Sequence, residues 1–189
     1  MALPRFFAAV VACALLAGTP VLADEIQEIS QQYRLGELTA ALDRTNRFLA
    51  AHPQNAQARF LKGLILADQG KADDAIAVFT GLTEDYPELP ESYNNLAVIY
   101  ASQNKYDAAR YALDMAIRAH PGYATAHENL GDIHVKMASI AYEKAQALDS
   151  ANTTAQAKLT LIRSLLGEPS GKPATAKPLP DPGQSAPAR

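Results

Sequence analysis

Residues 90–123 read PESYNNLAVIYASQNKYDAARYALDMAIRAHPGY, and residues 56–89, AQARFLKGLILADQGKADDAIAVFTGLTEDYPEL, follow the same pattern. Pro53, Pro87 and Pro121 mark the period, because each lies 34 residues from the next. A repeat of about 34 residues with helical apolar spacing is typical of stacked helical hairpins, each of which buries its apolar face against its neighbour. The sequence therefore predicts an all-α protein: an α-solenoid of about four helical hairpins with a capping helix.

Small and large side chains recur at matching positions of these two repeats. The matching pairs are Gly63 with Ala97, Ala75 with Ala109, Leu66 with Tyr100, and Phe79 with Leu113. Two helices approach to roughly 8–10 Å only where no long side chain fills their crossing point. The small pairs therefore mark predicted helix crossings, and each proline helps to end the second helix because it cannot continue the backbone hydrogen bonds.

The pattern resembles the tetratricopeptide repeat (TPR). In that family the first helix carries a large residue, Leu-Gly or Leu-Ala, and Tyr, and the second carries Ala, an aromatic residue and Ala before a closing Pro. The matching residues are Tyr93, Leu96, Ala97, Tyr100, Ala109, Ala116 and Pro121, with Gly63, Ala75, Phe79 and Pro87 in the preceding repeat. The resemblance covers about residues 25–150. The chain is also similar to small exported TPR proteins of Gram-negative bacteria. The resemblance implies a right-handed α-solenoid with a concave groove that binds other proteins.

The period divides the predicted TPR domain, residues 24–167, into segments. These are repeats at about 24–55, 56–89 and 90–123, a shortened repeat at 124–151, and a capping helix at 152–167. The shortened repeat lacks about five residues between ENLGD and YEKAQALD, and no Gly, Pro or Asn stands there to make a turn. Either a tight turn joins its two helices, or they merge into one helix from about Ala124 to Leu148. We favour the merged helix.

Residues 1–23 have the features of a secretory signal peptide. Arg5 precedes the apolar run FFAAVVACALLAG, and small residues stand before Asp24. We expect cleavage near Ala23 and a periplasmic or secreted protein. Cleavage would remove Cys13, the single cysteine, and leave no thiol for disulfide chemistry. The alternative is a lipoprotein anchored through Cys13, because Val10–Cys13 loosely resembles a lipoprotein cleavage box.

The C-terminal segment 168–189 has a different composition. It holds six of the chain's twelve prolines, and Leu179 is its one large apolar residue. Such a segment cannot bury enough surface to fold, so we expect a disordered Pro-rich tail. Alternatively, the tail acts as a tether, or its residues 177–182 serve as a ligand for another domain.

The sequence offers no set of residues for catalysis, cofactor binding or metal binding. It contains no Gly-x-Ser-x-Gly turn and no Gly-rich phosphate loop. His127 and His134 lie where the repeat has packing residues, so we interpret them as structural. A net charge of −3 without a basic stripe argues against nucleic-acid binding, and no segment beyond residue 23 is predicted to insert stably into a membrane. We therefore expect no enzyme activity, no cofactor and no metal.

The resemblance also implies which residues bind a partner, because the first helix of each TPR hairpin lines the groove. The groove positions are Phe60, Leu64, Ala67, Asn94, Val98, Ala101, Glu128, Asp132 and Val135. The groove would grade from apolar to acidic, which suits an extended peptide or a helix with apolar and basic character. The sequence thus predicts a non-enzymatic adaptor or scaffold for envelope-assembly or folding factors. The alternative is a holdase-like chaperone or a cofactor-delivery protein that binds unfolded or apo-protein segments.

Overall fold

The computed structural model describes residues 18–166, with side chains from Asp24 onward. The predicted tail at 168–189 and most of the predicted signal peptide lie outside the described residues. The described part of the chain contains eight helices and no strand, which confirms the all-α prediction. They are α1 Gly18–Arg34, α2 Leu38–Ala51, α3 Ala56–Asp68, α4 Ala72–Asp85, α5 Pro90–Ser102, α6 Tyr106–Ala119, α7 Ala124–Leu148 and α8 Thr153–Leu165.

The helices form two compact units that divide between Val78 and Phe79, within α4. In the first unit α1 packs against both α2 and α3, and α2 packs against α3. The core of this unit consists of Ile26, Ile29, Ala41, Phe48, Ala58, Leu61 and Ile65. Two polar contacts join α1 to the neighbouring helices. Arg44 of α2 pairs with Glu28 of α1, and the Tyr33 hydroxyl of α1 donates a 2.7 Å hydrogen bond to Asp68 of α3.

In the second unit each helix packs against the next. α5 packs against α6, α6 against α7 and α7 against α8, and α5 also contacts α7. The buried side chains are mainly small or aliphatic: Leu96, Ala97, Ile99, Ala109, Ala112, Leu113, Ala116, Ala126, Ile133, Ala155 and Leu159. Alanines let α6 approach its neighbours closely, as the repeat pattern predicts.

Short turns with a left-handed residue join the helices of the first three hairpins. Gly36, Gly70 and Asn104 have φ angles of 76°, 74° and 59°, and they lie 34 residues apart. Glycine adopts this conformation at no steric cost, and asparagine tolerates it better than most residues. The Asn55 and Asn152 side chains cap α3 and α8 by accepting 2.9 Å hydrogen bonds from the backbone N–H of Ala58 and Ala155.

The shortened fourth repeat has no such turn. Residues 124–148 form the single 25-residue helix α7, which confirms the merged helix and excludes the tight turn. In register with the preceding repeat, the five missing residues correspond to Asn104–Ala108, which include the left-handed turn residue. Without them the backbone has no position at which to reverse, and the helical hydrogen bonds continue.

Candidate binding surface

The predicted groove residue set on α3 lies in the first unit. Phe60, Leu64 and Ala67 are spaced i, i+4, i+7 and therefore share one face of the helix. Phe60 and Ala67 are half-buried, whereas Leu64 is only 3% exposed. Leu64 therefore presents little surface to a partner, and Phe60 offers the larger accessible apolar side chain of this helix face.

The predicted residues of the second unit lie on α5 and α7. Val98 and Ala101 of α5 are half-buried, and Val135 of α7 is half-buried as well. Glu128 and Asp132 are exposed and stand one turn apart on the same face of α7 as Val135. Because α5 and α7 are in contact, this unit presents apolar and acidic side chains from two neighbouring helices. We call Val98, Ala101, Glu128, Asp132 and Val135 the acidic surface.

Asn94, the remaining predicted residue, has a structural environment that its sequence position does not reveal. It is 1% exposed, and its side-chain oxygen accepts a 2.7 Å hydrogen bond from the side-chain amide of Asn129. The bond links α5 to α7 beneath the acidic surface. Asn129 was not among the predicted residues, although its position repeats that of Asn95, 34 residues earlier, and this recurrence was the available signal.

Two further buried polar groups lie in the same helix as Asn94. Asn95 donates a 2.8 Å hydrogen bond to the Glu91 carbonyl, but its own side-chain oxygen is buried and accepts none from the described residues. The Ser92 hydroxyl is also buried and has no hydrogen-bond partner among the described residues. Buried polar groups fix helix register more than they add stability, because each costs free energy unless it is hydrogen-bonded.

Burial shifts the pKa values of two tyrosines in this unit. Burial raises the pKa of Tyr93, and the neighbouring Tyr111 and Glu88 raise it further. Burial likewise raises the pKa of Tyr123, assisted by the negative charge of Glu91. Both hydroxyls therefore stay protonated at neutral pH, where they act as neutral hydrogen-bonding groups; that of Tyr93 donates to the Thr83 carbonyl at 3.3 Å.

Neither histidine of α7 takes part in a cluster of metal-binding side chains. His127 and His134 are exposed, and His127 Nε2 lies 2.9 Å from the Pro121 carbonyl, which it binds as a hydrogen-bond donor. Among the described residues, no three His, Cys, Asp or Glu side chains are grouped so as to hold a metal ion. No helix in the described range is both long and apolar enough to cross a membrane.

Comparison with protein families decides the identity of the repeat. The family model described as tetratricopeptide repeat matches residues 28–90, 65–124 and 94–136, which together span more than half of the chain. The chain belongs to the tetratricopeptide repeat family. The helices described above therefore form a TPR-type fold. TPR domains mediate protein–protein interactions, and this is the general role of the fold.

Three known proteins illustrate the similarity. The chain is 34% identical over 84 residues to the chloroplastic tetratricopeptide repeat domain-containing protein PYG7 of Arabidopsis thaliana, a match that spans 42% of this chain and 28% of that protein. The crystal structure of MamA superposes with a TM-score of 0.56 at 22% identity, covering 77% of this chain and 82% of MamA. That of YrrB, described as a TPR protein with an unusual peptide-binding site, gives 0.53 at 26% identity, covering 57% and 55%.

Proposed function

We propose that this TPR protein is a non-enzymatic adaptor that binds a peptide segment of a protein partner on the first-helix faces of its repeats. The observation that carries the proposal is the acidic surface of the second unit. There, exposed Glu128 and Asp132 share one face of α7 with half-buried Val135, and α5, which contacts α7, carries half-buried Val98 and Ala101. The similarity to YrrB, a TPR protein with a peptide-binding site, supports a peptide as the ligand.

The chemistry of the acidic surface favours a particular kind of peptide. Two carboxylates within one helical turn attract a cation, and an arginine or lysine of the ligand would meet them with charge-assisted hydrogen bonds. Val98, Ala101 and Val135 would take apolar ligand side chains beside that cation. The ligand would therefore be an extended segment or a helix with alternating basic and apolar residues.

The Asn94–Asn129 hydrogen bond supports a preorganised surface. It ties α5 to α7 and would limit the relative movement of the two helices that carry the acidic surface. A preorganised site loses less conformational entropy on binding and therefore binds its ligand more tightly.

We further propose that the protein is exported and acts in the periplasm, as a scaffold for envelope-assembly or folding factors. The support is the sequence of residues 1–23, whose basic start, short apolar run and small residues before Asp24 match a secretory signal. Fractionation of the native cell, with the mass of the purified protein, tests this. Loss of residues 1–23 is expected; an intact N-terminus in the cytoplasmic fraction would refute export.

The binding proposal is tested by crosslinking and co-purification from the native envelope, read by mass spectrometry. The wild type is compared with Phe60→Ala plus Glu128→Lys, which removes an accessible aromatic group and reverses one charge. Thr154→Lys on the exposed side of α8 controls for the addition of a surface lysine outside the predicted groove. We expect one or two partners to be lost from the double variant and retained by the control.

The other outcomes lead to other functions. Capture of many unrelated unfolded proteins, reduced by the double variant, would point to a holdase-like chaperone instead of an adaptor. Partners that bind the double variant as well as the wild type would show that the predicted groove residues do not form the binding site.

A further inference from the structure

Helix α8 covers one part of the α7 face that carries the acidic surface, and it leaves the other part exposed. Helical spacing puts on this face Glu128, Asp132, Val135, Ser139, Tyr142 and Gln146. The first two are exposed, whereas the last three are half-buried. α8 packs on the second part, where Lys158 Nζ lies 5.2 Å from the centre of the Tyr142 ring and Arg163 pairs with Glu143 at 3.2 Å. The cover that α8 provides therefore stops short of the two exposed carboxylates.

The end of α8 lies beside the acidic surface. The turn at residues 149–152 reverses the chain, so α8 runs antiparallel to α7. Both helices rise about 1.5 Å per residue, so Leu165, the last residue of α8, lies beside about residue 136 of α7. Asp132 lies about one turn beyond that level, and Glu128 lies about two turns beyond it. The chain that leaves α8 therefore starts at the edge of the acidic surface.

We propose that the chain's own C-terminal segment, residues 168–189, binds across the acidic surface and competes there with the partner peptide. Lys172 meets the carboxylates of Glu128 and Asp132, and Leu179 packs on the apolar side chains of α5. The inference rests on the proposed function, because it assigns an internal competitor to the same site.

The composition of this segment matches the ligand that the acidic surface favours. Lys172 and Lys177 supply cations, and Leu179, two residues after Lys177, supplies an apolar side chain. Six of the chain's twelve prolines also lie in the segment. Proline fixes φ and so reduces the conformational freedom that the chain loses when it is ordered on a surface. The segment therefore combines basic and apolar groups with a low entropic cost of binding.

The segment is long enough to reach both parts of the surface. An extended chain spans about 3.1 Å per residue, so Lys172, six residues beyond Leu166, has a reach of about 19 Å. Along the α7 axis, Asp132 and Glu128 lie about 6 and 12 Å from the level of the α8 end. Leu179 has a reach of about 40 Å, whereas adjacent packed helices such as α5 and α7 lie about 10 Å apart. Both contacts can therefore form within one chain.

The charges on the two sides are complementary. α5 and the first half of α7 carry three carboxylates, those of Glu91, Glu128 and Asp132, against one lysine, Lys136. Glu91 precedes Val98 by seven residues and therefore lies on the same face of α5. The segment has three basic residues against two acidic ones, namely Lys172, Lys177 and Arg189 against Glu168 and Asp181. Because these charges are near the surface, salt should weaken the attraction between them.

Paramagnetic broadening in NMR spectra tests the contact directly. The full chain carries a spin label at Ala174→Cys in a Cys13→Ser background, because Cys13 is the single native cysteine. At low salt we expect the amide signals of residues 128–135 to be lost. The signals should return in Lys172→Gln plus Lys177→Gln, whereas Lys172→Arg plus Lys177→Arg, the matched control, should retain the loss because it keeps both positive charges.

A mixed sample shows whether the contact forms within one chain. The spin label and the isotope label are then on different copies, and we expect no loss of signal. Loss in the mixed sample would place the segment on a second copy and overturn the proposal. Equal loss on the solvent side of α8, at residues 157–161, or loss that the glutamine variant retains, would also overturn it.

Partner capture separates this inference from the proposed function. In the crosslinking experiment, Lys172→Gln plus Lys177→Gln should increase recovery of the partner that Phe60→Ala plus Glu128→Lys loses. Unchanged recovery would refute competition by the segment. If the segment contacts residues 128–135 but capture does not depend on Phe60 and Glu128, the proposed function fails and the internal contact stands. If capture depends on them but the contact is absent, the internal competitor fails and the proposed function stands.

Discussion

The side chain of Asn129 in α7 donates a 2.7 Å hydrogen bond to the side chain of Asn94 in α5, where Asn94 is 1% exposed. The two residues are 35 apart in sequence, one repeat plus one position. The bond satisfies a buried acceptor and fixes the relative register of two helices that both contribute to the acidic surface. It therefore joins the two helices that carry the proposed binding surface of this unit.

Removal of this bond should lower stability. Asn129→Ala leaves the Asn94 oxygen buried without its donor, which costs about 1–3 kcal/mol. Urea unfolding followed by circular dichroism measures the change, with Asp132→Ala on the exposed face of the same helix as the control. Equal midpoints for the two variants would mean that the bond contributes nothing to the folded state.

Insertion of a charge at a predicted helix crossing should be far more damaging. Ala109 is 0% exposed in α6, so Ala109→Glu would bury an unpaired carboxylate and should destabilise the protein by more than about 3 kcal/mol. Differential scanning calorimetry should show a sharply lower Tm. Ala157→Glu, at an exposed alanine of α8, makes the same chemical change in water. If the two variants had equal Tm values, the predicted register of α6 would be wrong.

Substitution by alanine should change the stability of the protein in opposite directions at Gly70 and at Gly131. Gly70 has a φ of 74°, so Gly70→Ala forces a Cβ into the left-handed region and should cost about 1 kcal/mol or more. Gly131 lies in regular helix with open space around it, so Gly131→Ala should stabilise the protein by about 0.5–1 kcal/mol. Chemical unfolding of both variants beside the wild type gives the signs, and a stabilising Gly70→Ala would contradict the turn geometry.

The Tyr33–Asp68 hydrogen bond predicts an alkaline limit to stability. Burial raises the pKa of Tyr33, and both the hydrogen bond to Asp68 and the charge of Asp68 raise it further. A folded-state pKa above the unfolded value means that the stability from this group is fully present below about pH 10, the unfolded pKa of tyrosine, and is lost as the pH rises above it. The free energy of unfolding of the wild type should therefore fall above pH 10.

Tyr33→Phe separates this effect from general alkaline denaturation. The variant lacks the ionisable group and the hydrogen bond, so it should lose about 0.5–1.5 kcal/mol at pH 8. It should then show a shallower decline than the wild type between pH 10 and 11 in urea unfolding. Parallel curves for the two proteins would show that Tyr33 does not set the limit.

The sequence was sufficient to predict the repeat architecture because TPR helices obey a strict period. The start positions Ala56, Pro90 and Ala124 follow from the 34-residue spacing, and the merged helix α7 follows from the absence of a turn residue near Met137. These features depend on local backbone chemistry: where a chain has no left-handed residue and no proline, its helix continues.

The depth of individual side chains could not be predicted in the same way. The resemblance to TPR proteins placed Leu64 and Asn94 on the groove face, yet both are almost fully buried. Periodicity gives the direction of a side chain around its helix axis, but exposure depends on which neighbouring helix covers that direction. The Asn94–Asn129 bond was missed because it joins two helices, and the recurrence of asparagine at positions 95 and 129 does not reveal which residue the second asparagine contacts. The assignment of the groove residues stays a prediction.

The uninterrupted length of α7 also bears on how this protein could change in evolution. Repeat arrays lengthen by duplication of whole units, and a new unit needs a complete hairpin face on which to stack. The straight α7 interrupts that succession near the C-terminal end of the described chain, so a unit copied in after Leu148 would find no regular hairpin to extend. Addition of further repeats should therefore be better tolerated between the earlier hairpins than after Leu148.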